Sequence, residues 1–124
     1  MPCVLLVDDN ADTVEMYAVG LASAGYRSVG ASDVNSALRA LRNEHPDAVV
    51  TDLQLVGLRD GWALIEALKA DPSTRELPVI VLTGHTDPSI PFTAQQVGCA
   101  VVLTKPCLPD ELALAVRRVL PAVA

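Results

Sequence analysis

The sequence predicts an α/β domain in which a parallel sheet carries helices on both faces, and three observations predict it. Apolar runs such as Val4-Leu5-Leu6-Val7 and Val79-Ile80-Val81-Leu82 lack polar alternation and are too short for ordinary helices, which suits strands covered on both sides. Between the runs lie longer stretches whose apolar residues recur every three or four positions, the period of a helix packed by one face. The two patterns alternate five times along the chain, and such alternation pairs strands in parallel through right-handed crossovers.

The elements follow in order. Strand one is residues 4–7, running into Asp8 and Asp9. Asn10 is placed to cap a helix over residues 11–23, with Val14, Ala18 and Leu21 on one side and Gly25 as its stop. Residues 26–31 form a weakly signalled second strand. Ser32 or Asp33 caps the second helix, whose Val34, Ala37, Leu38 and Leu41 share a face and which ends at His45-Pro46. Strand three, residues 48–53, delivers Asp52 near its end.

Residues 54–61 have turn chemistry and no sustained period. Helix three, residues 61–69, buries Leu64, Ile65 and Leu68 with Trp62 at its edge, and Asp71-Pro72 stops it. Strand four ends in Thr83. Pro88 and Pro91 exclude a deep helical position, so helix four is short, residues 91–97, closed by Gly98. Strand five, residues 100–103, leads through Thr104 to Lys105-Pro106. Pro109, Asp110 and Glu111 suit the first turn of helix five, which turns Leu112, Val116 and Val119 inward.

A chain of 124 residues with 51% hydrophobic content can fill one core, so a single domain over residues 1–124 is expected. A net charge of -6 with nine scattered basic residues argues against nucleic-acid binding, which needs a basic face. No apolar stretch approaches the ~20 residues that span a bilayer, so a soluble, cytoplasmic chain is expected. Cys3, Cys99 and Cys107 lack paired spacing and are expected to be reduced, buried and inert. Zinc is disfavoured, because His45 and His85 have no ligand spacing to each other or to the thiols.

In an open α/β sheet, ligands sit beyond the carboxyl ends of the strands. Four strand ends here converge on Asp8, Asp9, Asp52, Thr83 and Lys105. Taken singly, an Asp at a strand end is more often a helix cap, and Asp12, Asp33 and Asp60 keep that reading or that of solvated loop. The ordered set is specific.

With these residues in place, the chain resembles the receiver domains of two-component response regulators over essentially its whole length. The resemblance rests on Asp8-Asp9, Asp52, Thr83 and Lys105-Pro106 in order. It implies a flavodoxin-like five-stranded parallel sheet of order 2-1-3-4-5, the order that general rules for such folds illustrate with a member of this family. It makes Asp52 the phosphoacceptor, served by a sensor histidine kinase or a histidine phosphotransfer protein. By the same resemblance Asp9, Asp52 and the backbone carbonyl of Gln54 bind Mg²⁺ and Asp8 holds it through water, while Lys105 and Thr83 contact phosphoryl oxygens and the Lys105-Pro106 bond is cis. The physics agrees: two carboxylates ~5 Å apart repel by about 3 kcal/mol at an effective dielectric of ~20, and hard oxygens with few protein contacts suit Mg²⁺.

The resemblance further implies a phosphoacceptor and not a turnover enzyme. Its output runs through a downstream protein bound at the surface of helix 4, strand 5 and helix 5, in a monomer or a weak phosphorylation-dependent dimer with no direct nucleic-acid or membrane contact. Haloacid-dehalogenase-like phosphatases share an Asp nucleophile, a Thr or Ser, a Lys and Mg²⁺, but they carry a general-acid Asp where this chain has Gln54. A receiver acting as an interaction module without phosphorylation is the other alternative, and the complete acidic set argues against it. Three features depart from the family: the loop of residues 52–61 is one residue longer than usual, Val56 stands where proline is common, and Val102 replaces the usual switch aromatic.

Overall fold

The structure is a computed structural model, and it describes residues 1–55, 57 and 59–120. Val56 and the chain after Leu120 lie outside the described residues. The elements are β1 (Cys3–Val7), α1 (Ala11–Ser23), β2 (Arg27–Ala31), α2 (Val34–Glu44), β3 (Ala48–Thr51), α3 (Gly61–Ala70), β4 (Val79–Thr83), α4 (Ser89–Gln96), β5 (Val101–Thr104) and α5 (Pro109–Val119). All strand pairs are parallel and the sheet order is β2-β1-β3-β4-β5, the flavodoxin-like order expected.

Because successive strand residues face opposite sides, each strand feeds two cores. Leu5, Val7, Val49, Val79 and Val81 face α2 and α3. Val4, Leu6, Val50, Ile80 and Leu82 face α1 and α5. This is why the strand sequences are apolar without alternation.

Helix starts follow local chemistry. Asn10 accepts from the Thr13 amide at 3.1 Å, Asp33 from Ser36 at 2.7 Å, and Asp60 from Ala63 at 3.0 Å, each satisfying one of the orphan donors of a first turn. Asp33 and Asp60 are therefore caps, as expected. Helix α2 ends at His45, in the left-handed conformation at φ 48°.

Helix α4 starts at Ser89, two residues before the expected Pro91, and ends at Gln96. Pro91 is its third residue, where an amide has no intrahelical partner and a proline therefore costs no hydrogen bond. Asp87 sets the turn: its carboxylate accepts from Ser89 at 2.9 Å and its carbonyl from Ile90 at 3.0 Å. Regular pairing in β3 stops at Thr51, although the Asp52 amide still donates to the Val7 carbonyl at 2.9 Å. Strand β5 is shifted by one residue from expectation, to Val101–Thr104. Cys3 and Cys107 are buried, whereas Cys99 is only half-buried. Val102 packs against the β4 side of the core as a partly buried residue.

Candidate functional site

Register places the charged residues. Val7 pairs with Thr51, so Asp8 and Asp52 leave neighbouring strands side by side. Thr83 pairs with Thr104, so Lys105 emerges one residue past the end of β4. The Lys105 amide donates to the Thr83 carbonyl at 2.8 Å, which fixes the lysine backbone to the β4 tip.

From there the Lys105 side chain reaches across the sheet edge. Its Nζ donates to Asp8 Oδ2 at 2.7 Å and to Asp52 Oδ2 at 2.9 Å. Burial alone would lower the lysine pKa, but the hydrogen bonds and charges of Asp8 and Asp52 outweigh burial and hold it above its ordinary value. The ammonium therefore stays charged at neutral pH.

The second oxygen of each carboxylate is also oriented. Asp8 Oδ1 accepts from the Asn10 amide at 2.9 Å and Asp52 Oδ1 from the Gln54 amide at 3.2 Å. Asp52 is 9% exposed and Asp8 8%: both are shielded from bulk water and still open to a small reactant. Asp9 is exposed and borders, with Asp8, Ser32 and Ser36, an open cleft of about 320 Å³. Thr83 is fully buried, and its Oγ1 accepts from the His85 amide at 3.2 Å.

The structure thus brings Asp8, Asp52 and Lys105 into direct contact, joins Thr83 to Lys105 through the backbone, and leaves Asp9, Gln54 and His85 on the surface. Among the described residues, no three His, Cys, Asp or Glu side chains form a metal cage by themselves. Mg²⁺ does not require one, because it binds through one or two carboxylates and keeps several waters. Asp8 and Asp52, brought together at Lys105, offer hard carboxylate oxygens of the kind that ion takes.

One residue escaped the sequence reading. Tyr17, on α1, is 4% exposed and donates its hydroxyl to the Cys107 carbonyl at 2.6 Å. Its spacing of four from Leu21 was the available signal, since both share the buried face of α1.

The family model of the response regulator receiver domain matches residues 4–117. The chain belongs to this family. The receiver is 34% identical over 117 residues to the phosphate regulon transcriptional regulatory protein PhoB of Pseudomonas aeruginosa, which covers 94% of this chain and 51% of that protein. The chain spans about half the length of the curated relatives it matches. The chemotaxis protein CheY4 of Vibrio cholerae superposes with a TM-score of 0.89 at 28% identity, covering 97% of this chain and 99% of that one. The signal receiver domain of a signal transduction histidine kinase from Syntrophus aciditrophicus superposes with a TM-score of 0.85 at 31% identity, covering 96% and 89%. The receiver fold and its place in two-component signalling follow. Among the described residues no helix is long and apolar enough to cross a membrane.

Proposed function

We propose that this receiver takes a phosphoryl group onto Asp52 from a phosphohistidine on a sensor kinase or phosphotransfer protein. The observation that carries the reading is Lys105 Nζ, hydrogen-bonded to Asp52 at 2.9 Å and to Asp8 at 2.7 Å. A nucleophilic carboxylate, a second carboxylate and a fixed cation meet at one buried strand edge.

In the transfer, an Asp52 oxygen attacks phosphorus in line while the bond to the imidazole nitrogen breaks and its electron pair returns to the ring. Lys105 is placed to move from the Asp52 carboxylate onto a phosphoryl oxygen, offsetting charge that the transfer brings into the cleft. Thr83, at the tip of β4, offers a hydroxyl to another. Asp9, Asp52 and the Gln54 carbonyl would hold Mg²⁺ directly and Asp8 through water, and the ion when bound supplies a second positive charge against the phosphoryl oxygens.

The chain accepts one group per cycle and does not turn over phosphate esters, because Gln54 offers no general acid beside Asp52. Output runs to a protein partner through the surface of α4, β5 and α5, where Phe92 is 65% exposed and can be covered. The decisive experiment is intact mass after incubation with acetyl phosphate. One phosphoryl adduct is expected with Mg²⁺ and none in EDTA or in Asp52→Asn; an adduct that survives the substitution would place the acceptor elsewhere.

A further inference from the structure

Tyr17 lies outside the charged cluster, yet two features tie it to the lysine. Its hydroxyl, on α1, donates to the carbonyl of Cys107 at 2.6 Å across 90 residues of sequence. Cys107 stands two residues after Lys105, in the turn that leads into α5. The segment carrying the lysine is therefore pinned at both ends, by the Thr83 carbonyl on the Lys105 amide at 2.8 Å and by Tyr17 on Cys107. Helix α1 is also the element that Asp8 and Asp9 run into, so one hydroxyl bolts the helix behind the acidic loop to the turn behind the cation.

The second feature is a void behind the pair. Asp8, Asp52, Thr13, Tyr17, Leu6 and Leu82 are among the residues lining a cavity of about 10 Å³, at the lower limit of what one water needs. Tyr17 thus borders the same small void as Asp8 and Asp52.

We propose that Tyr17 is a positioning residue for phosphoryl transfer: its hydroxyl holds the turn after Lys105 so that the ammonium is kept within reach of Asp52, Asp8 and the incoming phosphoryl group. The proposal rests on the phosphoacceptor reading of Asp52. Neither helical periodicity nor the strand-end motifs assign Tyr17 any role, and the ring alone would fill the same core volume. Reach decides the matter. A lysine that contacts two carboxylates at hydrogen-bond distance tolerates little displacement of its own backbone, and misplacement of a charged group by about 1 Å can cost roughly 100-fold in rate.

The test separates the hydroxyl from the ring and the lysine from the fold. Adduct formation from acetyl phosphate with Mg²⁺ is timed by intact mass for the wild-type chain, Tyr17→Phe, Lys105→Ala and the double variant. Tyr17→Phe keeps the ring and is expected to slow the reaction about 5–10-fold, a partial misplacement, while in the Lys105→Ala background the same change alters the rate less than about twofold. An equal loss in both backgrounds, or no loss in either, overturns the proposal. Should the wild-type chain form no adduct, the phosphoacceptor reading fails separately, and the position of Lys105 is then read from its NMR shifts. Tyr17→Phe must move the Lys105 amide and side-chain signals more than those of residues 101–103; if it does not, the proposal fails on its own ground.

Discussion

A Cβ built on Gly61 would lie 2.1 Å from the carbonyl oxygen of Asp52 and 2.7 Å from the Leu53 Cα. The first residue of α3 therefore sits directly against the backbone of the residue proposed to be phosphorylated, and its amide donates to the Leu53 carbonyl at 2.9 Å. Only a residue without a side chain allows that approach. Gly61→Ala is expected to cost about 1–3 kcal/mol, because backbone atoms must move apart. That corresponds to a melting temperature lower by roughly 4–12 °C, and adduct formation on Asp52 should slow as well. Thermal denaturation with the acetyl phosphate assay checks both; an unchanged melting temperature would show that the α3 start yields at no cost.

Gln54 and His85 stand two residues beyond Asp52 and Thr83, and both are exposed. Their amides are engaged with Asp52 Oδ1 and Thr83 Oγ1, which fixes the backbone of both residues next to the candidate site. A bulky polar group there orders or blocks the water that would hydrolyse a phosphoaspartate. Replacing both by Ala should change the decay rate of the adduct severalfold, measured after removal of the phosphodonor. Decay that is unaltered within error makes them ordinary surface residues.

Output should depend on the β4–α4 segment and not on a ring in β5. Val102 is β-branched, has few rotamers and packs against the core beside Val81. Residues 84–89 are exposed, and α4 begins without a side-chain cap at Pro88, so this segment is the cheaper one to move. Backbone NMR shifts with and without Mg²⁺ and beryllofluoride, a phosphoryl mimic, should change most over residues 84–92. Large changes confined to residues 101–103 would contradict this.

The thiols set an alkaline limit. Burial, followed by the thiol's hydrogen bond to the Glu111 carboxylate and that carboxylate's charge, pushes Cys107 up to about 11, and burial raises Cys3 and Cys99 as well. An unfolded thiol titrates near 8.5. Below that pH both states keep the proton and stability is unaffected. Between about 8.5 and 11 the unfolded chain loses the proton of Cys107 first, so stability falls as pH rises. Urea denaturation from pH 8 to 10.5 should show this decline, and Cys107→Ser should flatten it. At pH 7.5 iodoacetamide should label Cys99 before the two buried thiols, as mass spectrometry of digests would show.

What the sequence determined by itself was everything encoded by short-range pattern. Unalternating apolar runs marked β1, β3, β4 and β5, because a strand covered on both faces has no polar side to display. Caps such as Asn10 and Asp33 act on amides three residues away and were visible for that reason. The ordered strand-end residues pointed to one candidate site, since a parallel sheet gathers carboxyl ends at one edge. Helix α4 was misjudged by two residues, because a proline is hostile or harmless according to whether its position falls within the first turn.

Only the tertiary structure decided which of those residues touch. The separations of 97 positions from Asp8 to Lys105 and of 90 from Tyr17 to Cys107 carry no periodic trace, because such contacts depend on how two crossovers pack against one sheet. Nothing local distinguishes a tyrosine that fills a core from one that also anchors a turn. Lys105 bridging Asp8 and Asp52, Cys99 at the half-buried rim and Gly61 against the Asp52 carbonyl are of the same kind: each is fixed by the space that other elements leave.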